Sequence, residues 1–178
     1  MNNTDIVTIL GNISQSLYPV QHLITGCAYV LGLVFYFVAL EKMKKVAGQS
    51  NSHESKFSPF MYIVVGTALV YLPSAMNTMA NTAFGTGNVL TYPTVQRSNV
   101  YSNVGLLVQT GGLLWFIRGC VLIAHASEPS GAEHGIKGLL FLIAGIFALN
   151  FDNTIAAINS AMTQLITLTM TLKSSQGY

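Results

Sequence analysis

Charge is scarce in this chain, and the scarcity excludes a soluble fold. Aspartate, glutamate, lysine and arginine together make up 8% of the 178 residues, against roughly 25% in a typical soluble domain. A soluble core of this size would need a charged surface that the composition cannot supply. The segment before Val20 has no lysine or arginine and carries Asp5, so a cleavable signal peptide with a basic leading region is not expected there. Residue patterns for a phosphate-binding loop, a nucleophile elbow or a pair of catalytic carboxylates are also missing, which leaves catalysis without support. The four histidines, His22, His53, His125 and His134, lack metal-ligand spacing. His125, Glu128, Glu133 and His134 do cluster around one short connection, but Pro129, Ser130 and Gly131 mark that stretch as an ordinary turn.

What the chain has instead is length of apolar sequence. Hydrophobic residues reach 51%, and runs of about 20 residues without interior charge are candidate membrane spans. The expected spans cover about 20–40, 57–80, 104–126 and a stretch from about 136 to 151. Pro73 is placed to kink or end the second. A helical pattern then continues to Leu172 through Ile155, Ile158, Met162, Leu165 and Ile166. Its many Thr, Asn and Ser residues suit a protein-packed or interfacial helix. Before the first span, Ile6, Ile9, Leu10, Ile13 and Leu17 fall on one helical face, which predicts an amphipathic helix ended by Pro19.

The expected architecture is therefore an all-α membrane protein. Residues 1–19 form an amphipathic helix, 20–80 a first transmembrane hairpin, 81–103 an external loop, 104–152 a second hairpin, and 153–178 a polar helical extension. Basic residues near short loops mark the cytoplasmic side. Lys42, Lys44, Lys45 and Lys56 lie in the first short loop and Lys137 beside the last, while the long middle loop holds only Arg97. Both termini are then expected outside. Cys27 and Cys120 fall near opposite ends of their spans under this topology, too far apart to form a disulfide within one chain.

The two hairpins look alike. Residues 58–81 lie over 137–160 without a gap, matching Gly66 with Gly145 and Tyr62 with Phe141. Gly32–Phe37 (GLVFYF) lies beside Gly112–Ile117 (GLLWFI). Both second spans pass through a break, at Pro73 or Asp152, into a small-polar helix. The pattern predicts a parallel repeat of two hairpins rather than the inverted repeat of many transporters.

Arg118 stands out because a charge inside a span costs several kcal/mol unless it finds water or a partner. Snorkelling to the cytoplasmic face, pairing with Asp152 or a backbone carbonyl, and a place on a substrate pathway are the three readings. Gly105, Gly111, Gly112 and Gly119 on the third span, and Gly138, Ala144, Gly145 and Ala148 on the fourth, are the small residues that permit close helix approach in membranes. They serve packing within the chain or assembly into an oligomer. Arg118, Asp152, Lys137, Gly112, Gly119 and Gly145 are the candidate structural or interaction residues. No catalytic, cofactor-binding or metal-binding residue is expected.

The stretch Gly111–Thr154, GGLLWFIRGCVLIAHASEPSGAEHGIKGLLFLIAGIFALNFDNT, resembles the IcmC/DotE-type membrane proteins of Dot/Icm (type IVB) secretion systems. It is similar also to the IcmD/DotP proteins and to related conjugation-transfer proteins. The resemblance implies a bacterial inner-membrane subunit of a machine that moves protein effectors or DNA–protein complexes. Membrane lipid and other secretion subunits would be its partners, in a homo- or hetero-oligomer, without direct nucleic-acid binding. An autonomous small transporter or channel is the alternative.

Overall fold

A computed structural model of the chain describes residues 3–48, 57–85, 100–128 and 131–175. Every regular element among them is an α-helix: α1 (Asn3–Gly48), α2 (Ser58–Val70), α3 (Leu72–Phe84), α4 (Val100–Ala126), α5 (Ala132–Leu149) and α6 (Phe151–Ser175). Among the described residues three helices are long and apolar enough to cross a membrane: α1 over Gly11–Gly48, α4 over Asn103–Ala126, and α6 over Phe151–Lys173. The pair α2 and α3 qualifies only jointly, which gives four at most. The all-α, multi-span character expected from composition is therefore present, with differences in where the helices run.

The first difference is at Pro19, where the expected break is absent. α1 is a single helix of 46 residues with Pro19 inside it, about 69 Å long at 1.5 Å per residue. An internal proline removes one ladder hydrogen bond and costs about 3 kcal/mol. The helix nevertheless continues through Leu17–Leu23, LYPVQHL. Ile9 and Ile13 are exposed on this continuous rod.

The second difference concerns the second span, which is two helices and not one. α2 ends at Tyr71 (φ −100°, ψ 38°), whose N–H donates to the Thr67 carbonyl, and α3 leaves at 97°. Pro73 explains the break, because its ring cannot fit against the carbonyl four residues back. α3 lies across the end of the bundle with Leu72, Met76 and Ala80 buried. Phe84 meets Phe147 of α5 edge-on, with ring centroids 5.6 Å apart. Gly85 closes α3 in the left-handed conformation (φ 74°). The central part of the expected external loop, 86–99, lies outside the described residues.

The second hairpin breaks at Asn150, two residues before the expected site at Asp152. Asn150 (φ −98°, ψ 46°) donates its backbone N–H to the Ile146 carbonyl, and its side-chain Nδ2 donates to the same oxygen at 3.0 Å. A side-chain amide competing for the last carbonyls stops the helix, and Asp152 then sits in the first turn of α6, where the helix dipole favours a carboxylate. α5 has 18 residues, about 27 Å, just short of a hydrocarbon core of about 30 Å. α6 is longer, with 25 residues, and every residue from Ala156 to Lys173 is exposed.

Helices α1, α2, α4 and α5 form the bundle. α1 packs antiparallel on α2 and α4 on α5, and α4 joins the pairs by touching α1 and α2. The core between them is apolar: Ala28, Phe35 and Ala39 from α1, Val65 and Leu69 from α2, and Leu113, Phe116, Cys120 and Ala124 from α4. Phe35 meets Tyr62 edge-on at 5.4 Å. The Tyr36 hydroxyl donates to Thr67 Oγ1 at 2.6 Å, since Thr67 itself donates to the Ile63 carbonyl.

Candidate functional site

Two glycine contacts set the distances on which all other geometry depends. A Cβ placed on Gly32 would lie 2.9 Å from the Gly66 carbonyl oxygen and 3.0 Å from the Val70 nitrogen. One placed on Gly145 would lie 2.7 Å from the Phe116 nitrogen and 2.9 Å from the Gly112 carbonyl oxygen. Backbone meets backbone in both hairpins, so no larger residue fits without moving a helix. Gly119 is equally tight, with Leu142 N at 2.6 Å and the Gly138 carbonyl oxygen at 2.9 Å from such a Cβ. Gly112, Gly119 and Gly145 are thus brought together along the α4–α5 seam. Gly111 faces open space, with nothing within 4 Å.

The glycine pairs occupy positions that the sequence superposition matches, Gly32 with Gly112 and Gly66 with Gly145. The helix breaks coincide as well. Tyr71 lies over Asn150 in the same superposition, the two share their dihedral angles within a few degrees, and each is bonded back to the residue four before it. The next turn restarts alike, Ala75 N–H donating to the Tyr71 carbonyl at 2.9 Å and Thr154 N–H to the Asn150 carbonyl at 2.8 Å.

The end of α1, the start of α2 and the end of α4 meet at one end of the bundle, where a polar junction closes it. Glu128 Oε1 accepts the Tyr62 hydroxyl at 2.6 Å and pairs with Lys42 Nζ at 3.2 Å. Lys42 also sits over the Tyr62 ring, 5.1 Å from its centroid. The Tyr62 hydroxyl, aided by Lys42, holds the Glu128 carboxyl below its ordinary value, against a partial opposing effect of burial. Ser127 Oγ donates to the Ala124 carbonyl at 2.6 Å and approaches Ser58 Oγ at 3.4 Å. The His125 ring meets Tyr62 edge-on at 6.2 Å. One carboxylate therefore ties α1, α2 and the α4–α5 turn together.

At the other end, Gln21 Nε2 donates to Thr110 Oγ1 at 2.8 Å, linking α1 to α4. Gln21 and Lys42 are about 31 Å apart along α1, close to the thickness of a hydrocarbon core. The polar ties between the hairpins thus sit at two levels separated by one membrane core.

Arg118 and Asp152 are not paired. The Arg118 guanidinium lies over the Phe141 ring, 5.0 Å from its centroid, and Trp115 meets the same ring edge-on at 6.5 Å. Asp152 lies eleven residues beyond Phe141, about 16 Å along the helix direction, out of reach of an arginine at the level of Phe141. Arg118, Lys137 and Asp152 are all exposed. Cys27 is exposed, Cys120 buried, and both are free thiols. Among the described residues no group of three or more His, Cys, Asp or Glu is placed to hold a metal.

The junction on Glu128 is the site that spacing alone does not reveal. Its signal is the mismatch of Tyr62 with Phe141 in an otherwise apolar superposition, because a buried phenol needs a partner. Both positions carry a cation, Lys42 on Tyr62 and Arg118 on Phe141. Comparison of the chain with family models, with curated proteins and with solved structures gave no match.

Proposed function

We propose that the chain is a non-catalytic integral subunit of a type IVB (Dot/Icm-like) secretion apparatus, of the IcmC/DotE type, in the bacterial inner membrane. Its role there is to support effector translocation by packing with itself or with other membrane subunits. The resemblance over Gly111–Thr154 supports that family. The observation that carries the packing role is the pair of backbone-to-backbone glycine contacts, Gly32–Gly66 and Gly112–Gly145. They support a duplicated hairpin whose helices are held too tightly to part for a solute.

The reading extends to orientation. Lys42, Lys44 and Lys45 near the end of α1 and Lys137 near the start of α5 lie toward the Glu128 end of the bundle, which favours that end as the cytoplasmic one. The exposed α6 and the outer faces of α1 and α4 would then be the surfaces offered to lipid and to other subunits. IcmD/DotP-type and conjugation-transfer proteins are the neighbouring assignments of the same class.

A small autonomous transporter is the competing reading. It is disfavoured by an apolar bundle interior, built on Phe35, Leu69, Leu113 and Phe116, and by the outward position of Arg118. Deleting the gene in the bacterium that carries it and assaying delivery of a reporter effector separates the two. Loss of delivery, with co-purification of other secretion components, supports the subunit. Solute uptake by the purified protein alone in liposomes overturns it.

A further inference from the structure

Arg118 is an exposed charge in the lateral face of an apolar bundle, and it needs an anion. Among the described residues no carboxylate provides one. Glu128 is engaged by Lys42 and Tyr62, and Glu41 pairs with Lys45 at 3.4 Å. Asp152 is about 16 Å away toward one end, and Glu133, eight residues before Phe141, about 12 Å toward the other. The described carboxylates are thus engaged or out of reach, and the exposed guanidinium is open to an anion from outside the chain.

Depth decides what it is. α4 is long and apolar over the 24 residues Asn103–Ala126, about 36 Å, so it overhangs a hydrocarbon core of about 30 Å by roughly 3 Å at each end. Arg118, eight residues from Ala126, has its Cα about 9 Å inside the core boundary. A fully extended arginine reaches about 7 Å, and the remaining gap of about 2 Å is less than one hydrogen bond to a headgroup oxygen. Side chains on α4 lean toward Val100, away from that end, but those on α5 lean toward it, and stacking on the Phe141 ring turns the Arg118 guanidinium that way.

The surroundings fit a phosphate. Stacking on Phe141 covers one face of the guanidinium and leaves its edge donors, the fork that binds phosphate in two places, open to the side. Lys137, one turn before Phe141 on the same face of α5, is an exposed second cation nearer the membrane surface. Trp115, 49% exposed, lies one turn deeper in the core and gives an apolar wall for an acyl chain.

We propose that Arg118, Lys137, Trp115 and Phe141 form a lateral site for the phosphate of an anionic phospholipid of the short-loop leaflet. Basic residues between helices facing an anionic leaflet are a general solution for such headgroups. The site rests on the chain being a membrane protein and not on its place in a secretion apparatus, so it can fail or hold independently of that assignment.

The test uses the full-length protein in neutral detergent, titrated with phosphatidylglycerol or with phosphatidylcholine of the same chains, and read by native mass spectrometry. The wild type is expected to retain phosphatidylglycerol about tenfold better than phosphatidylcholine, as one charge-assisted contact implies. Arg118→Gln should reduce that preference to within about twofold, Lys137→Gln should lower it part-way, and Lys44→Gln should leave it unchanged. Inorganic phosphate in excess should not displace the lipid; displacement would mean that free phosphate is the ligand and would overturn the lipid site. Equal binding of both lipids by the wild type, or an unchanged preference in Arg118→Gln, would also overturn it. A photoreactive residue at Leu114, exposed on the same face, supplies a second measurement in cells. Lipid adducts support the site, and a crosslink to an acidic membrane protein overturns it.

Discussion

Gly145 rests against Gly112 so closely that a Cβ on Gly145 would lie 2.9 Å from the Gly112 carbonyl oxygen. Neither helix can carry a side chain there and stay where it is. The same contact, Gly32 against Gly66, closes the first hairpin, so backbone approach at glycines sets helix packing in both hairpins.

Enlarging either point should open its hairpin. Gly145→Leu should destabilise the purified protein by about 3 kcal/mol, the upper range for overpacking, because the neighbours are backbone and cannot rotate away. Gly111→Ala, which meets open space, should be neutral or slightly stabilising, as alanine favours helix over glycine by about 1 kcal/mol. Thermal unfolding in detergent measures both, and equal melting of the two variants would contradict the account.

The polar junction should be sensitive to acid. Glu128 titrates below its ordinary value because the Tyr62 hydroxyl and Lys42 stabilise its charged form. A depressed carboxyl contributes stability that is present above its unfolded value of about 4.3 and is lost as pH falls through the folded value. Wild type should therefore melt above Glu128→Gln at neutral pH, and the two should converge in acid. Tyr62→Phe should lower stability by about 1 kcal/mol at neutral pH, the scale of one hydrogen bond. A constant gap between wild type and Glu128→Gln across the acid range would show that ionisation of Glu128 does not act here.

Helix α6 should be dispensable for the bundle. It is exposed from Ala156 to Lys173, so ending the chain after Thr154 should change the melting of the remaining protein by no more than about 0.5 kcal/mol, as for surface changes generally. The same truncation should abolish any assembly that depends on α6, read as a change in mass on sizing with light scattering. A large fall in melting temperature would mean that α6 supports the fold.

Much of this architecture is legible in the residues, for identifiable reasons. Apolar length and charge scarcity give the all-helical, multi-span class, and Gly66 over Gly145 points to the positions where the helices touch. The course of single helices is less legible. Pro19 carries a break signal that α1 runs through, whereas Pro73 delivers the break that Pro19 does not. Asn150 stops α5 through a side-chain bond to a carbonyl, a competition that composition does not rank. Helix α6 mixes threonine with leucine and isoleucine, a pattern that fits a packed or interfacial helix, and within this chain it is exposed from Ala156 to Lys173. The Lys42–Glu128–Tyr62 junction joins residues far apart in sequence, and only the packing of α1 and α2 on α4 brings them within 3.2 Å. Arg118 is recognisable at once as an unusual charge, but its partner on Phe141 depends on the α4–α5 register that the glycines set.

The central claim is that this chain works as a packed subunit of a secretion apparatus, and effector delivery in a deletion strain tests it most directly. Complementation with the wild-type gene should restore delivery of a reporter effector, while Gly145→Leu, expressed at the same level, should not. Normal delivery in the deletion strain itself would contradict the account.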